Sequence, residues 1–134
     1  MPEHIVSFLT GSMPEPLLVI PDETWATFEL TGAEGEFIAT EFLRAWAFPP
    51  RRLLYEIGEM LHCKTVLYRT RRGGPGHAIT VPRQVVQSHG IRLSHHIEAV
   101  LIEIVRQGES LPIYPRRMVE DQIPNWFRTE ERSP

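Results

Sequence analysis

The chain has almost no cysteine, since Cys63 is the only one among 134 residues. No intrachain disulfide can form, so the fold depends on its core, as is usual in a reducing compartment. The first residues lack the basic start and apolar stretch of a signal peptide, and the uncharged apolar runs are far shorter than a membrane span. These absences predict a cytoplasmic protein with no membrane contact.

Acidic residues are missing from the middle of the chain. None lies between Glu59 and Glu98, a stretch of 38 residues, although the chain has 17 acidic residues and a net charge of −3. The same stretch holds five of the six histidines and six bases, namely Lys64, Arg69, Arg71, Arg72, Arg83 and Arg92. A segregated positive surface attracts polyanions, of which nucleic acid is the commonest. The alternative is that folding interleaves these bases with distant carboxylates into an ordinary mixed surface.

Motifs for acyl, phosphoryl or hydride transfer are also missing. His62-Cys63 and His95-His96 could supply metal ligands, but adjacent side chains point apart and the spacing is not that of a metal site. Cys63 follows an apolar stripe and is more typical of packing than of a nucleophile. Gly73-Gly74-Pro75-Gly76 lacks the Gly-Lys-Ser/Thr ending of a phosphate loop. We therefore expect no enzyme, no metal and no cofactor.

The composition is that of a single packed domain. The apolar fraction is 42% and the charged fraction 23%, and a chain of this length divided in two would leave marginal cores. Twelve prolines separate short elements, and long helices are not expected. We predict one α+β domain over residues 1–118, followed by a polar C-terminal tail at 119–134 that is docked or disordered.

Two adjacent helices are predicted at the centre of this domain. Thr31 and Glu34 have the spacing of a capping box, and Pro49-Pro50 would end the first helix and start the second. Both segments have apolar residues at helical spacing, and we expect these stripes to form the core. The stripes are Phe37, Ile38, Phe42, Ala45 and Trp46, then Leu53, Leu54, Ile57, Met60 and Leu61.

Antiparallel hairpins are expected on either side of the helices. Residues 4–9 and 16–20 are predicted as short strands joined by a turn, and residues 65–69 and 77–81 as a second pair joined by a glycine-rich turn. Pro82 ends that pair and can start a short helix over 83–89, which Gly90 would cap. Residues 94–107 fit either a helix or a strand; the β-branched content favours a strand paired with 111–114.

The order of elements from residue 64 to 117 resembles a known family. The run 77–86 (HAITVPRQVV) and His89-Gly90-Ile91 are similar to the strand, Ile-x-Val-Pro, short helix and Leu-Gly-Ile-type turn of AbrB-like swapped-hairpin transcription factors. Residues 100–105 and 111–115 can take the places of the last two strands, although residues 93–96 replace the family's Gly-Asp. The resemblance implies an interdigitated homodimer whose basic residues contact DNA, which by position are Arg69, Arg71, Arg72 and Arg83.

A winged helix is an alternative arrangement of the same residues. Two helices broken at Pro49-Pro50 and a hairpin tipped with arginines occur in that order in winged-helix domains, with the second helix in the major groove. Arg51 and Arg52 would open that helix, although Glu56 and Glu59 would face phosphates. Both arrangements place the arginines of the glycine-rich hairpin against phosphate.

The favoured function is non-catalytic binding of duplex DNA, as a transcriptional regulator. Arg69, Arg71, Arg72 and Arg83 would contact phosphates, and Lys64 and Arg92 would flank them. The alternative is a small protein-binding inhibitor, antitoxin or phage accessory protein, which would act through the same hairpin or through Trp126 and Phe127. Tryptophan is a preferred anchor in protein interfaces.

Overall fold

The fold consists mainly of β-strands. The computed structural model describes residues 3–47, 52–107 and 109–112 of the chain. The helices in this part are α1 (Asp22–Thr27) and α2 (Arg83–His89). The strands are β1 (Glu3–Thr10), β2 (Leu17–Val19), β3 (Glu36–Ala47), β4 (Arg52–Arg69), β5 (Pro75–Thr80), β6 (His95–Arg106) and β7 (Glu109–Pro112).

Six of these strands close into an antiparallel barrel. The hydrogen-bonded order is β1-β2-β5-β4-β3-β6, and β6 returns to pair with β1. On the same edge of β6, β7 continues the line of β1, because Pro112 lies opposite Glu103 and Glu3 lies opposite Leu101. The barrel interior is filled by fully buried side chains such as Phe42, Ile97 and Leu101.

The predicted α+β class with two central helices is wrong, because the first predicted helix is strand β3. Irregular pairing explains the error. Ile38, Phe42 and Ala45 all point into the barrel, and a bulge between Phe42 and Arg44 changes the alternation of the strand at that point. A bulge adds a residue and shifts the inward face by one position. The buried residues are therefore four and then three positions apart, which imitates a helix. Because a strand and not a helix follows, Thr31 and Glu34 do not form a capping box.

The second predicted helix is strand β4, and the winged-helix arrangement is therefore also wrong. Ile57 is buried, but Leu53 and Met60 of the same predicted stripe are 44% and 60% exposed on the outer surface of the barrel. Gly58 has a φ of 69°, and the pairing with β3 changes register near it. A glycine at such an irregularity lets an 18-residue strand bend around the barrel.

The predictions for the two hairpins and the short helix are confirmed, and β7 overlaps the strand predicted at 111–114, whose last two residues lie outside the described residues. Strands cover 3–10, 17–19, 65–69 and 75–80, and α2 occupies 83–89 as predicted. Gly90 has a φ of 60° and ends α2 in the left-handed conformation expected of a C-cap. Residues 94–107, which fitted either type of element, contain the strand β6.

The two halves of the barrel repeat the same strand–strand–helix–strand unit. The amide of Ile20 donates to the carbonyl of His77 over 2.8 Å, and the amide of Val81 donates to the carbonyl of Pro16 over 2.9 Å. Each of these strands then reaches a proline with nearly the same backbone angles, φ −55° and ψ 139° at Pro21 and φ −58° and ψ 141° at Pro82. The helices α1 and α2 follow at once, so the two segments are structural equivalents.

The strand pairing has the same internal symmetry. β1 pairs with β2 as β4 pairs with β5, and β1 pairs with β6 as β4 pairs with β3. The two remaining contacts, β2 with β5 and β3 with β6, join equivalent strands to each other. The barrel therefore has an approximate two-fold axis through these two pairings, and each half closes the other.

The loops after the two helices are also equivalent. Leu30 donates its amide to the carbonyl of Trp25, and Ile91 donates to that of Val86, both over 3.1 Å. The residue before each of these amides has a left-handed backbone conformation, with a φ of 53° at Glu29 and 60° at Gly90. Leu30 and Ile91 are buried, so each loop seals one side of the core.

The two halves differ in charge and in the length of their first hairpin. Residues 3–47 hold eight acidic residues and one arginine, whereas residues 52–112 hold five acidic residues and eight bases. The β1–β2 pairing ends at Thr10 and Leu17, but the β4–β5 pairing runs on to Arg69 and Pro75. The second half therefore carries an arm that its equivalent lacks.

The described helices are short. Neither is long and apolar enough to cross a membrane.

Candidate nucleic-acid interface

The arm formed by residues 67–76, called the basic hairpin below, is the most positively charged feature of the described chain. Its turn is held by Thr70, whose amide and Oγ1 donate to the carbonyl of Gly74 over 3.0 and 3.1 Å. The amide of Gly73 donates to the carbonyl of Thr70 over 2.9 Å, and Gly73 has a φ of 89°. These bonds close the turn with backbone groups, so the turn arginines are not needed to hold it.

Three arginines of the basic hairpin point into solvent. Arg69, Arg71 and Arg72 are all exposed. Within the described residues, the arginine ion pairs involve Arg44 and Arg106, and none involves these three. Three unpaired guanidinium groups within four positions of the chain form a local concentration of positive charge that attracts an anion.

Tyr68 covers the opposite strand of the basic hairpin. Its ring lies over Gly76, and a Cβ at that position would overlap the ring atoms. Burial raises the pKa of the Tyr68 hydroxyl, so the ring stays neutral at physiological pH. The contact fixes the two strands of the arm against each other and makes the arginines part of an ordered structure.

We expect Gly76→Ala to lower the free energy of unfolding by about 1–3 kcal/mol, because the new methyl group must displace the Tyr68 ring. Gly74→Ala in the same turn is the control, since its Cβ would lie 4.0 Å from Oγ1 of Thr70, its nearest neighbour. Urea unfolding of both variants measures the difference. Equal losses would contradict the packing of Tyr68 on Gly76.

A shallow cleft lies beside the arm. Its volume is about 300 Å³, and Leu67 at its edge is 56% exposed. The cleft is lined by Leu67, Tyr68, Arg69, Gly73, Gly74 and Pro75. It therefore combines apolar surface with one guanidinium group, a combination that suits a flat or apolar group next to an anion.

The other three predicted contact residues do not join the arm in one compact patch. Lys64 is exposed five residues before Arg69, about 17 Å along the strand, and its amide donates to Oγ1 of Thr80. Arg83 is exposed at the start of α2. Arg92 lies near Tyr55, whose hydroxyl donates to the carbonyl of Gly90, far along β4 from the arm. The six bases are therefore exposed at separate places on the second half, along β4 and around α2.

The histidines of the acid-free stretch add little to this charge. Nδ1 of His77 lies 2.9 Å from Asp22, and the ring of His77 stacks on Trp25. Nε2 of His89 lies 2.9 Å from Glu59. Burial lowers the pKa of His95 and of His96, so both are neutral at physiological pH. The alternative interpretation expected distant carboxylates to pair with the positive groups of this stretch. Such pairs form at His77 and His89, but not at the arginines of the arm.

Two carboxylates inside residues 3–112 form networks that the sequence did not indicate. Glu36 is buried and accepts from Thr65 over 2.7 Å and from Arg106 over 2.6 Å. Its carboxylate also accepts from the amides of Thr31 and Gly32, which closes the loop before β3. Burial alone would raise the pKa of Glu36, but the hydrogen bonds outweigh it and lower the pKa to about 2.

The second network surrounds Glu98 on the outer surface of the barrel. The Glu98 carboxylate lies 2.7 Å from Nε2 of His4, and it accepts from Arg44 over 3.1 Å and from Nε1 of Trp46 over 2.9 Å. Burial raises the pKa of Glu98, and these contacts lower it further than burial raises it. Both networks tie neighbouring strands together, so their role is structural.

Side chains with potential for catalysis or metal binding are dispersed. His62 is exposed and Cys63 is buried on opposite faces of β4, and burial raises the pKa of the Cys63 thiol to about 12. A thiol with such a pKa is a poor nucleophile. Among residues 3–47, 52–107 and 109–112, no group of three histidine, cysteine or acidic side chains is arranged to hold a metal ion.

The comparisons with known proteins give no further guide to this surface. No protein-family model, curated protein or solved structure matches the chain. Trp126, Phe127 and the rest of the predicted tail at 119–134 lie outside the described residues. The functional argument therefore depends on the described barrel and its basic hairpin.

Proposed function

We propose that the protein binds duplex DNA without catalysis, as a transcriptional regulator, and that the basic hairpin makes the main phosphate contacts. The observation that carries the proposal is the exposure of Arg69, Arg71 and Arg72 without ion pairs on an arm present in only one half of the barrel. Selection for folding alone does not require such an arm, since the first half closes with a shorter hairpin.

The remaining bases extend the proposed contact. Lys64, Arg83 and Arg92 are exposed on the same half and, among the described residues, form no ion pair. Phosphates follow one another along a duplex, so several separate exposed bases suit DNA better than a small anion. Arg83 and Arg92 flank the helix α2, and Lys64 lies between that helix and the arm.

Binding to random-sequence duplex DNA, measured by fluorescence anisotropy at several salt concentrations, tests this function. We expect the logarithm of the affinity to fall linearly with the logarithm of the salt concentration. The slope should be near −0.9 for each phosphate contact, about −5 for six. An affinity that does not change with salt, or no binding at low salt, would overturn the proposal.

A protein partner is the second candidate, favoured by the exposure of Leu67 beside Arg69. Phosphate contact does not require an apolar side chain there, whereas a protein interface combines both types. An inhibitor or antitoxin acting through the basic hairpin would form a complex whose affinity depends weakly on salt. Capture experiments with wild-type protein and with Leu67→Ser separate this case, because the substitution should abolish capture but leave DNA binding intact.

Two further features belong to the proposal. The resemblance to AbrB-like factors implies an interdigitated homodimer, but here the two halves of one chain already pair with each other. A homodimer of this protein would therefore use the outer surface of the barrel, and sedimentation velocity tests for it. A cytoplasmic location agrees with the single cysteine, Cys63, which is buried and has no second cysteine in the chain to pair with.

A further inference from the structure

One face of the basic hairpin combines apolar side chains with a guanidinium group. Residues directly opposite each other in an antiparallel pair point to the same face of the sheet. Four side chains, called the inner face below, share one face in two such pairs: Leu67 with His77, and Arg69 with Pro75. The next pair toward the barrel on this face, Thr65 with Ile79, is fully buried. The inner face therefore continues the inner wall of the barrel beyond its end.

Leu67 on the inner face is supported by the loop that follows α1. A Cβ at Gly32 would lie 3.0 Å from Cγ of Leu67 and 3.5 Å from the ring of Trp25, so both side chains pack over this glycine. The ring of His77 stacks on Trp25, with 4.5 Å between the ring centroids. Leu67 is nevertheless 56% exposed. Its position is therefore fixed from one side, while much of its surface is open to solvent.

The shallow cleft beside the arm lies against this leucine. Its volume of about 300 Å³ is near the lower limit for small-molecule sites. Leu67 and Pro75 supply apolar walls, and Arg69 supplies a positive charge. Gly73 and Gly74 line the cleft with backbone groups and have no side chains to obstruct it. Such a cleft has room for one planar ring system, but not for a base pair with its two backbones.

The spacing of Leu67 and Arg69 matches that of one nucleotide. Side chains two positions apart on a strand point to the same face and are about 7 Å apart, which a nucleotide spans between its base and its phosphate. Arg71 and Arg72 follow at the turn, and among the described residues neither forms an ion pair. A base lying on Leu67 would therefore place its phosphate at Arg69 and a neighbouring phosphate near the turn.

A base inside an intact duplex cannot enter this cleft. Both of its faces are covered by stacked neighbours, so only its groove edges and its phosphate are accessible. An unpaired base can leave the stack and lie on an apolar or aromatic side chain, and the cost of leaving is smallest where no base pair has to be broken. The exposed apolar surface of Leu67 next to Arg69 suits such a base, whereas phosphate contact alone does not require it.

We propose that the cleft on the inner face binds one unpaired base of a DNA duplex, with Leu67 and Pro75 in contact with the base and Arg69 in contact with its phosphate. The inference rests on the proposed DNA binding. It adds the form of DNA that binds best, which is a duplex interrupted by an unpaired nucleotide.

Fluorescence anisotropy with three labelled duplexes of the same flanking sequence tests the inference. One duplex is fully paired, one has a single bulged adenine, and one has an abasic nucleotide at the bulge. The abasic bulge is flexible like the adenine bulge but offers no base. We expect the adenine bulge to bind about tenfold tighter than either of the other two duplexes, toward the lower end of the gain from stacking a base on an aromatic ring.

Two variants assign this preference to the cleft. Leu67→Ser should remove the preference for the bulged adenine and leave binding to the paired duplex intact. Met60→Ser, a change at another exposed apolar residue of β4, should keep the preference. Equal affinities for the adenine and abasic bulges, or a preference that survives Leu67→Ser, would overturn this inference and leave the proposed function standing. No binding to any of the three duplexes at low salt would overturn both.

Discussion

Replacing Arg69, Arg71 and Arg72 together with alanine should weaken binding to duplex DNA by about two to three orders of magnitude at 0.1 M salt. Each lost phosphate contact removes roughly 0.9 from the salt slope, so the slope should become less steep by about 2.7. The barrel should stay folded, because the turn is closed by Thr70, Gly73 and Gly74. Fluorescence anisotropy gives the affinity and the slope, and circular dichroism monitors the fold.

A second triple variant provides the matched control. In this variant, alanine replaces Lys64, Arg83 and Arg92. It removes the same total charge from the same half of the barrel, but away from the arm. We expect a smaller loss, because these residues flank the proposed contact. If the two triples weaken binding equally, only overall charge matters and the basic hairpin has no special role. Replacing the three hairpin arginines with lysine should largely preserve the salt slope, since lysine keeps the charge.

Glu36→Gln should lower the free energy of unfolding at pH 7 by about 3–5 kcal/mol. The carboxylate accepts from the guanidinium of Arg106, the hydroxyl of Thr65 and two loop amides. An amide side chain leaves the buried end of Arg106 without its counter-charge and turns one donor group toward other donors. Urea unfolding measures the loss. Glu34→Gln, an exposed change in the same loop, should alter stability by less than about 0.5 kcal/mol.

Glu36 also makes the free energy of unfolding depend on pH. The pKa of Glu36 is about 2 in the folded chain and 4.5 ordinarily, so its contribution is fully present above pH 4.5 and is lost as the pH falls toward 2. The shift corresponds to about 3 kcal/mol. The wild-type protein should therefore lose about that much more stability than Glu36→Gln between pH 5 and pH 2. Parallel pH profiles for the two proteins would contradict the network.

The parts of the fold that the sequence predicted are those where local signals agree. Prolines and glycines at 73–76, 82 and 90 identify a turn, a helix start and a helix end, and α2 and its flanking strands follow from them. The central strands were missed because their pattern is altered by pairing. The bulge in β3 after Phe42 depends on the partner strands, and no local preference reveals it.

In the candidate site, too, the features that depend on local sequence were predicted and those that depend on strand pairing were missed. The sequence predicted Arg69, Arg71 and Arg72 at an exposed turn and left open whether distant carboxylates pair with them. In the structure they are exposed at and next to the turn, and among the described residues they form no ion pair. The sequence could not separate them from Arg106, which is equally basic but is held by Glu36 from 70 positions away. Ion pairs over such separations depend on strand order, and so does the symmetry that relates α1 to α2.

Under the proposed DNA-binding function, the approximate two-fold axis of the barrel also bears on the site that one chain would bind. A dimer of identical chains carries two copies of every contact and therefore matches a palindrome. In this barrel the equivalent of the arm is a short turn after Thr10, in a half with eight acidic residues and one arginine. One chain thus offers a single basic arm and no mirror of it. If it binds DNA as proposed, a single chain would meet the duplex in an asymmetric way and would not match a palindrome.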